Sequence, residues 1–376
     1  MAARLWLFEA LDTLFFRDGT PFNMGETDSR GIRSTFPPGM PTLQGAIRTA
    51  LAVGQGWHKG SEWPEETLGS YDGIGSLALQ GPYLAAVTAG KLNLLFPFPA
   101  AAVRHQGGFA YLFPDEASVA TDLMAATRLT KELDFEDIQG TAGLWLTAKG
   151  LEAVLSGNQP EKGDWYDSNS LWSYENRVGI TIDRRTGTVE QGGLYSLAHI
   201  RPAANLRIAV IVSGVEDAWH QAIPKTIPLG GESRMAIVST QEVSDFLPAP
   251  PILTPCSGKA HFTVTLVTPG HFGLLNPSEQ GNFEQVRKDV REVIRTGPLQ
   301  GFGDCVSACI PKLSQIGGWD IVNRRPRPLR PEIIPGSTWF YKADASRSEE
   351  IIALHGSHVG SDTEYGYGQI LIGRWG

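Results

Sequence analysis

The stretch His261-Phe-Thr-Val-Thr-Leu-Val-Thr268 places Phe262, Val264 and Leu266 on one face and Thr263 and Thr265 on the other. That period of two is the pattern of a half-buried β-strand, and Pro269-Gly270 ends it. Downstream, Phe283, Val286, Val290, Val293 and Ile294 recur at helical spacing, with Asn282 as N-cap and Gly297-Pro298 as the stop. Two extended pieces follow, Pro311 to Val322 and Glu332 to Lys342, joined by a stiff proline- and arginine-rich connection. Arg347 to His355 reads as a short helix, and Gln369 to Trp375 as a closing strand.

The resulting order, β-α-β-β-α-β, is the ferredoxin-like arrangement of an antiparallel sheet with both helices on one face. Upstream, Arg4 to Phe16 suits a central strand and Pro41 to Val53 a helix with Leu43, Ile47, Ala50 and Leu51 on one side. Leu92 to Phe113 reads as a hairpin, Leu144 to Leu155 as a helix and Leu206 to Val212 as a strand. The same topology therefore threads from Arg4 to Val212, interrupted by insertions at Gly54–Ser76 and Ser156–Leu197. The fold class is α+β: two ferredoxin-like (RRM-like) βαββαβ domains, 1–250 and 251–376, with long insertions.

The 376 residues carry a formal charge of −8, and 43 glycines with 25 prolines exceed the usual share of roughly 12%, predicting many turns. Net acidity argues against promiscuous nucleic-acid binding, which depends on neutralising phosphates. The basic charge is nevertheless concentrated: five Arg against two acids in 176–207, and four Arg with one Lys against one acid in 323–342. Arginine suits bidentate phosphate contacts and stacks on bases. Three cysteines (Cys256, Cys305, Cys309), Glu9 and Asp12 in the first apolar stretch, and no bilayer-length apolar run point to a soluble, cytoplasmic protein.

Chemistry-bearing motifs are few. Between the last helix and the last strand stands Gly356-Ser-His-Val-Gly360-Ser-Asp-Thr-Glu-Tyr-Gly366-Tyr-Gly368. It reads either as a turn-rich connector or as a loop whose backbone approaches phosphate while Tyr365 and Tyr367 stack on unpaired bases. Pro228-Leu-Gly-Gly-Glu-Ser-Arg234 is either a surface turn with a Glu232–Arg234 ion pair or a second close-approach loop. Cys305-x₃-Cys309 has no neighbouring Cys or His pair to make a metal site, and no cofactor motif occurs. His355 and His358 beside the glycine loop are either hydrogen-bonding loop residues or an acid/base pair for RNA cleavage.

Six blocks in order carry a resemblance: Leu14-Phe-Phe-Arg-Asp-Gly-Thr-Pro-Phe22, Phe36-Pro-Pro-Gly-Met-Pro-Thr-Leu-Gln-Gly-Ala-Ile-Arg48, Gly81-Pro-Tyr83, Arg177 to Gly187 with Gly193-Leu-Tyr195, Leu229-Gly-Gly-Glu-Ser-Arg234, and Pro335-Gly-Ser337. Together they resemble the third-subunit family of the Cmr effector complex, RAMP-superfamily proteins of type III-B CRISPR antiviral systems. The resemblance implies two RRM-related domains and makes Gly356–Gly368 the RAMP glycine-rich loop. It implies a non-catalytic subunit that holds the repeat-derived 5′ tag of the crRNA. The implied partners are the large polymerase-like (cyclase) subunit, the backbone RAMP subunits and, indirectly, target RNA. Carried over by position, Arg17, Arg48, Arg177, Arg184 and Arg234 are phosphate contacts. Gly230, Gly231, Gly366 and Gly368 permit close backbone approach, and Tyr365 and Tyr367 stack on tag bases. The alternative is a RAMP endoribonuclease that processes precursor crRNA through His355 or His358.

Overall fold

The computed structural model describes residues 3–17, 32–70, 73–121, 124–129, 138–243, 245–273, 283–320 and 324–376. The expected N-cap Asn282 and residues 18–22 of the first block lie outside them. The chain groups into two compact units: residues 1–92, 169–243 and 316–329 form the first, and 93–168, 244–315 and 330–376 the second. The expected division at 250/251 falls near one change of unit, at 243/244, while segments 93–168 and 316–329 group across it.

The first unit contains β1 (Arg4–Ala10), α1 (Met40–Gly54), β2 (Ala78–Thr88), β3 (Trp172–Ile182), β4 (Val189–Pro202), β5 (Leu206–Ser213), α2 (Asp217–Gln221) and β6 (Met235–Glu242). Its sheet runs β2-β5-β1-β6, with Thr226–Pro228 at the edge beyond β6. β1 is central and antiparallel to both neighbours, Trp6 facing Val210 on one side and Thr240 on the other. Leu5 on one face and Trp6 and Phe8 on the other are all buried, so both faces of the strand are covered there. α1 buries Met40, Leu43, Ile47, Ala50 and Leu51, the spacing read from the sequence, with proline in its first turn.

Two expectations for this unit are corrected. Leu92–Phe113 does hold the expected hairpin, Ala102–His105 against Gly108–Tyr111, but it belongs to a separate small sheet. The second strand of this unit's topology is Ala78–Thr88, and the topology closes with α2 and β6 at Glu242 rather than at Val212. Gly81-Pro82 inside β2 interrupts its sequence pattern, and α2 is only five residues long, too short to show helical periodicity. The expected insertion at 156–197 holds structure of its own, the long hairpin β3–β4, paired from Trp172↔Pro202 to Ile182↔Val189.

The second unit contains β7 (Lys259–Leu266), α3 (Phe283–Thr296), β8 (Asp304–Cys309), β9 (Thr338–Asp344), α4 (Ser348–Ile352) and β10 (Ile370–Arg374), in sheet order β8-β9-β7-β10. This is the β-α-β-β-α-β order expected, with one strand relocated: the partner of β9 is 304–309, not 311–322. Pro311 lacks an N–H for the ladder, and Gly317-Gly318 breaks the stretch that reads as extended. Phe262, Val264 and Leu266 pack with Val286, Val290, Trp339, Tyr341, Ile351, Ile370 and Ile372. Each such side chain contributes about 1.5–3 kcal/mol on burial. The indole N–H of Trp339 donates to Val293 O at 3.0 Å, tying α3 to the sheet.

β7 is not half-buried. Thr263 and Thr265 are covered too, at 8% and 1% exposure. Pro99, Ala101, Tyr111 and Leu155 of the inserted segment line that face together with Phe340 and Trp375. The hydroxyls of Thr265 and Thr338 pair at 3.0 Å, which makes polar side chains tolerable there.

Candidate nucleic-acid interface

In the first unit, three separate parts of the chain deliver arginines to one place. β1 ends in a bend that carries Asp12. Alternation on β3 puts Glu175 and Arg177 on one face, and the register Ser173↔Arg201, Glu175↔His199 brings Arg201 of β4 to the same face. Arg234 arrives from the turn before β6. Asp12 Oδ2 accepts from Arg177 Nη2 at 3.1 Å and from Arg234 Nη1 at 3.4 Å, and its Oδ1 accepts from Arg201 Nη2 at 3.1 Å. Glu175 accepts from Arg177 Nε at 2.9 Å and from Arg201 Nε at 2.5 Å.

The electrostatics follow from this geometry. The Arg177 guanidinium, the Thr13 backbone N–H and Arg201 hold the Asp12 carboxyl down to about 2. Below the cluster His199 is buried, 3.1 Å from the Thr13 hydroxyl, and burial followed by the charges of Arg234 and Arg177 pushes its pKa down. The hydrogen-bonded group itself has three guanidiniums to two carboxylates, and the exposed Glu232 carboxylate on the neighbouring turn adds a third negative charge that also acts on His199.

The 228–234 turn is built around this cluster. Gly231 N–H donates to Phe15 O at 2.8 Å, and a Cβ on Gly230, at φ +84°, would overlap that same carbonyl oxygen. Glu232 and Ser233 also hold positive φ, 54° and 52°, the kind of backbone strain that concentrates at functional sites. Arg234 pairs with Asp12, so the Glu232 partner considered from sequence is not the one it takes. Arg17 is exposed directly after Phe16, with its backbone bridged to Ser34.

The remaining arginines sit elsewhere in that unit. Arg48 on α1 donates to Gln44 Oε1 at 3.1 Å and to Ser70 O at 2.7 Å, and lies 5.8 Å from the Trp63 ring centre. Its visible role is to fasten the 54–76 insertion. Arg184 is exposed at the tip of the β3–β4 hairpin, whose outward face carries Val178, Ile180, Ile182, Val189 and Leu194, each 48–70% exposed.

In the second unit the glycine loop turns inward. Tyr367 is 4% exposed and stacks on His271 at 3.8 Å between ring centres, so its ring is not presented to a base as expected. Tyr365 is half-buried. Gly366 and Gly368 are buried at φ +93° and +75°, and a Cβ on Gly368 would overlap Val359 O. The close backbone approach of Gly368 is therefore to its own chain. His271 contacts Asp362 at 2.7 Å and Glu332 at 3.1 Å, and Arg330 also pairs with Asp362, fastening the loop to His271 and to the Arg330–Glu332 strand.

His355 uses both ring nitrogens on backbone: Nε2 meets Pro248 O at 2.9 Å, and Nδ1 accepts from Ile372 N–H at 3.1 Å. Neither is left for proton transfer. His358 is half-buried, and burial pushes its pKa down. Burial raises the Cys305 thiol to about 12 and the Cys309 thiol to about 11, which keeps both protonated.

Sequence reasoning singled out Arg177 and Arg234 but missed Asp12, Glu175 and Arg201 as their partners. The usable signal was Glu175-x-Arg177 on one strand, but only the hairpin register places Arg201 beside it.

Among the described residues no helix is long and apolar enough to cross a membrane. No curated protein matches the chain. Among solved structures it is similar to a chain of the type III-B Cmr-beta complex bound to cognate target RNA and AMPPnP (17% identity, TM-score 0.48, 89% of this chain and 86% of that one). It is also similar to a chain of the Csm3-Csm4 subcomplex of the type III-A CRISPR-Cas interference complex (11% identity, TM-score 0.40, 99% of each chain). The family model described as CRISPR-associated protein (Cas_Cmr3) matches residues 6–375. On that match over nearly its whole length, the chain belongs to the Cas_Cmr3 family, subunits of type III-B CRISPR effector complexes.

Proposed function

We propose that this subunit is a non-catalytic crRNA-binding scaffold that holds the 5′ repeat-derived tag and bridges the large polymerase-like subunit to the backbone RAMP subunits. The observation that carries the reading is the convergence of Arg177, Arg201 and Arg234, from three segments, on one partly solvent-exposed site. Such a site binds a phosphodiester locally although the chain is acidic overall. Arg17 and Arg184, exposed in the same unit, extend the candidate contact surface. The repeated β-α-β-β-α-β order, with the first and third strands central in both sheets, supports reading the chain as two ferredoxin-like domains. The engagement of both His355 nitrogens by backbone disfavours that residue as the acid/base group of an endoribonuclease.

The test is binding of crRNA with an intact tag against crRNA with a scrambled tag, at stated salt, in complexes assembled with the partner subunits. Tighter binding of the intact tag is expected, and equal affinity refutes tag recognition. Arg177→Ala and Arg234→Ala should each weaken both RNAs and lower the salt slope by roughly 0.7, one phosphate contact on a single strand.

A further inference from the structure

We propose that Asp12 is a displaceable stand-in for an RNA phosphate: its carboxylate holds the three guanidiniums in place until a phosphodiester takes its position. The inference rests on the reading above that this cluster contacts the crRNA backbone.

The two carboxylates of the cluster are not equivalent. Glu175 takes two arginines at 2.5–2.9 Å, within or below the usual range of roughly 2.7–2.9 Å for charge-assisted bonds. Asp12 touches all three arginines, but at 3.1, 3.1 and 3.4 Å, beyond that range. Its side chain is 48% exposed against 33% for Glu175. Asp12 is thus the anion nearer solvent, held by longer bonds, and it sits in a bend rather than within a strand. Glu175, by contrast, lies inside β3 and is fixed by the ladder.

Donor capacity is also unspent. Arg234 Nε is buried without a hydrogen-bond partner among the described residues. A phosphodiester offers two non-bridging oxygens, the same acceptor number as the carboxylate it would replace, and Arg takes either one bidentately. Three arginines held apart by an internal anion are also kept from repelling one another before RNA arrives, so less ordering remains to be done on binding.

A residue that only supports the fold would weaken RNA binding when changed. A stand-in for phosphate competes with RNA, so its removal strengthens binding. Asp12→Asn makes the cluster more positive by one charge. In the assembled complex with tagged crRNA, it should bind roughly three- to ten-fold tighter near 0.1 M salt, with a salt slope steeper by about 0.7. Asp12→Ser serves as a second variant in case the amide packs badly, with thermal melting as the fold control.

Tighter binding and a steeper slope in either folded variant support the inference. Unchanged or weaker binding in both, while Arg177→Ala still weakens binding, overturns the stand-in but leaves the RNA site standing. If Arg177→Ala and Arg234→Ala leave affinity unchanged, the RNA site fails and the stand-in falls with it.

Discussion

Replacing Gly368 by alanine should destabilise the second unit by about 3 kcal/mol. The residue holds φ +75°, where an L side chain costs roughly 1–2 kcal/mol. Its new Cβ would overlap Val359 O. Relief by backbone movement is blocked from both sides: Val359 N–H donates to Gly368 O at 2.9 Å, and Gly368 N–H donates to Pro269 O at 2.7 Å. Loosening one of these adds about 0.5–1.5 kcal/mol. At roughly 2–4 °C per kcal/mol for a unit of this size, melting should fall by about 6–12 °C. Tryptophan fluorescence during heating reads it, because Trp339 and Trp375 are buried in the same unit. Gly56→Ala is the control. At φ +86° with nothing within 4 Å of a Cβ, it should cost only the backbone strain, about 1 kcal/mol. If Gly368→Ala melts with the Gly56→Ala control while crRNA affinity collapses, the glycine serves approach to RNA and the packing account is wrong.

Tyr367→Phe should leave stability within about 0.5 kcal/mol of wild type or raise it, because the buried hydroxyl has no partner among the described residues, whereas Tyr367→Ala should lose about 3–5 kcal/mol in urea unfolding. The C2 proton of His355 should titrate below 6.5 by NMR, since burial outweighs its two backbone contacts; the corresponding stabilisation is complete above pH 6.5 and is lost as pH falls below it, and a midpoint above 6.5 contradicts the burial argument. Asp12 is depressed from 3.8 to about 2, so its contribution is present above pH 4 and disappears between pH 4 and 2. The difference in melting temperature between wild type and Asp12→Asn at low salt should shrink across that window, and a constant difference would show that the carboxylate's charge is not responsible.

How much was legible from sequence differs from element to element. β7 and α3 were visible because each has its own period, two and 3.6, with glycine or proline at its end. β8 was missed because Asp304-Cys-Val-Ser-Ala-Cys309 does not alternate apolar with polar residues, its two polar positions standing three apart across a bulge at Cys305/Ser307. β2 was missed because Gly81-Pro82 interrupts it, and α2 because five residues carry no period. In the candidate site, the arginine-rich stretch and the Gly230-Gly231 turn were evident as composition and motif. The glycine loop misled: positive φ and tight packing against Val359 demand glycine there without any ligand.

The local periods, the β-α-β-β-α-β order of the second unit and the six ordered blocks that mark the family are all written along the chain, because each depends on near neighbours in it. It takes the folded chain to show that Arg177, Arg201 and Arg234 share Asp12, that Thr263 and Thr265 are covered, and that Tyr367 faces His271 rather than solvent. Those facts depend on strand register and on which distant segment packs against which face. Asp12 and Arg234 are 222 positions apart, a separation that no local pattern can bridge.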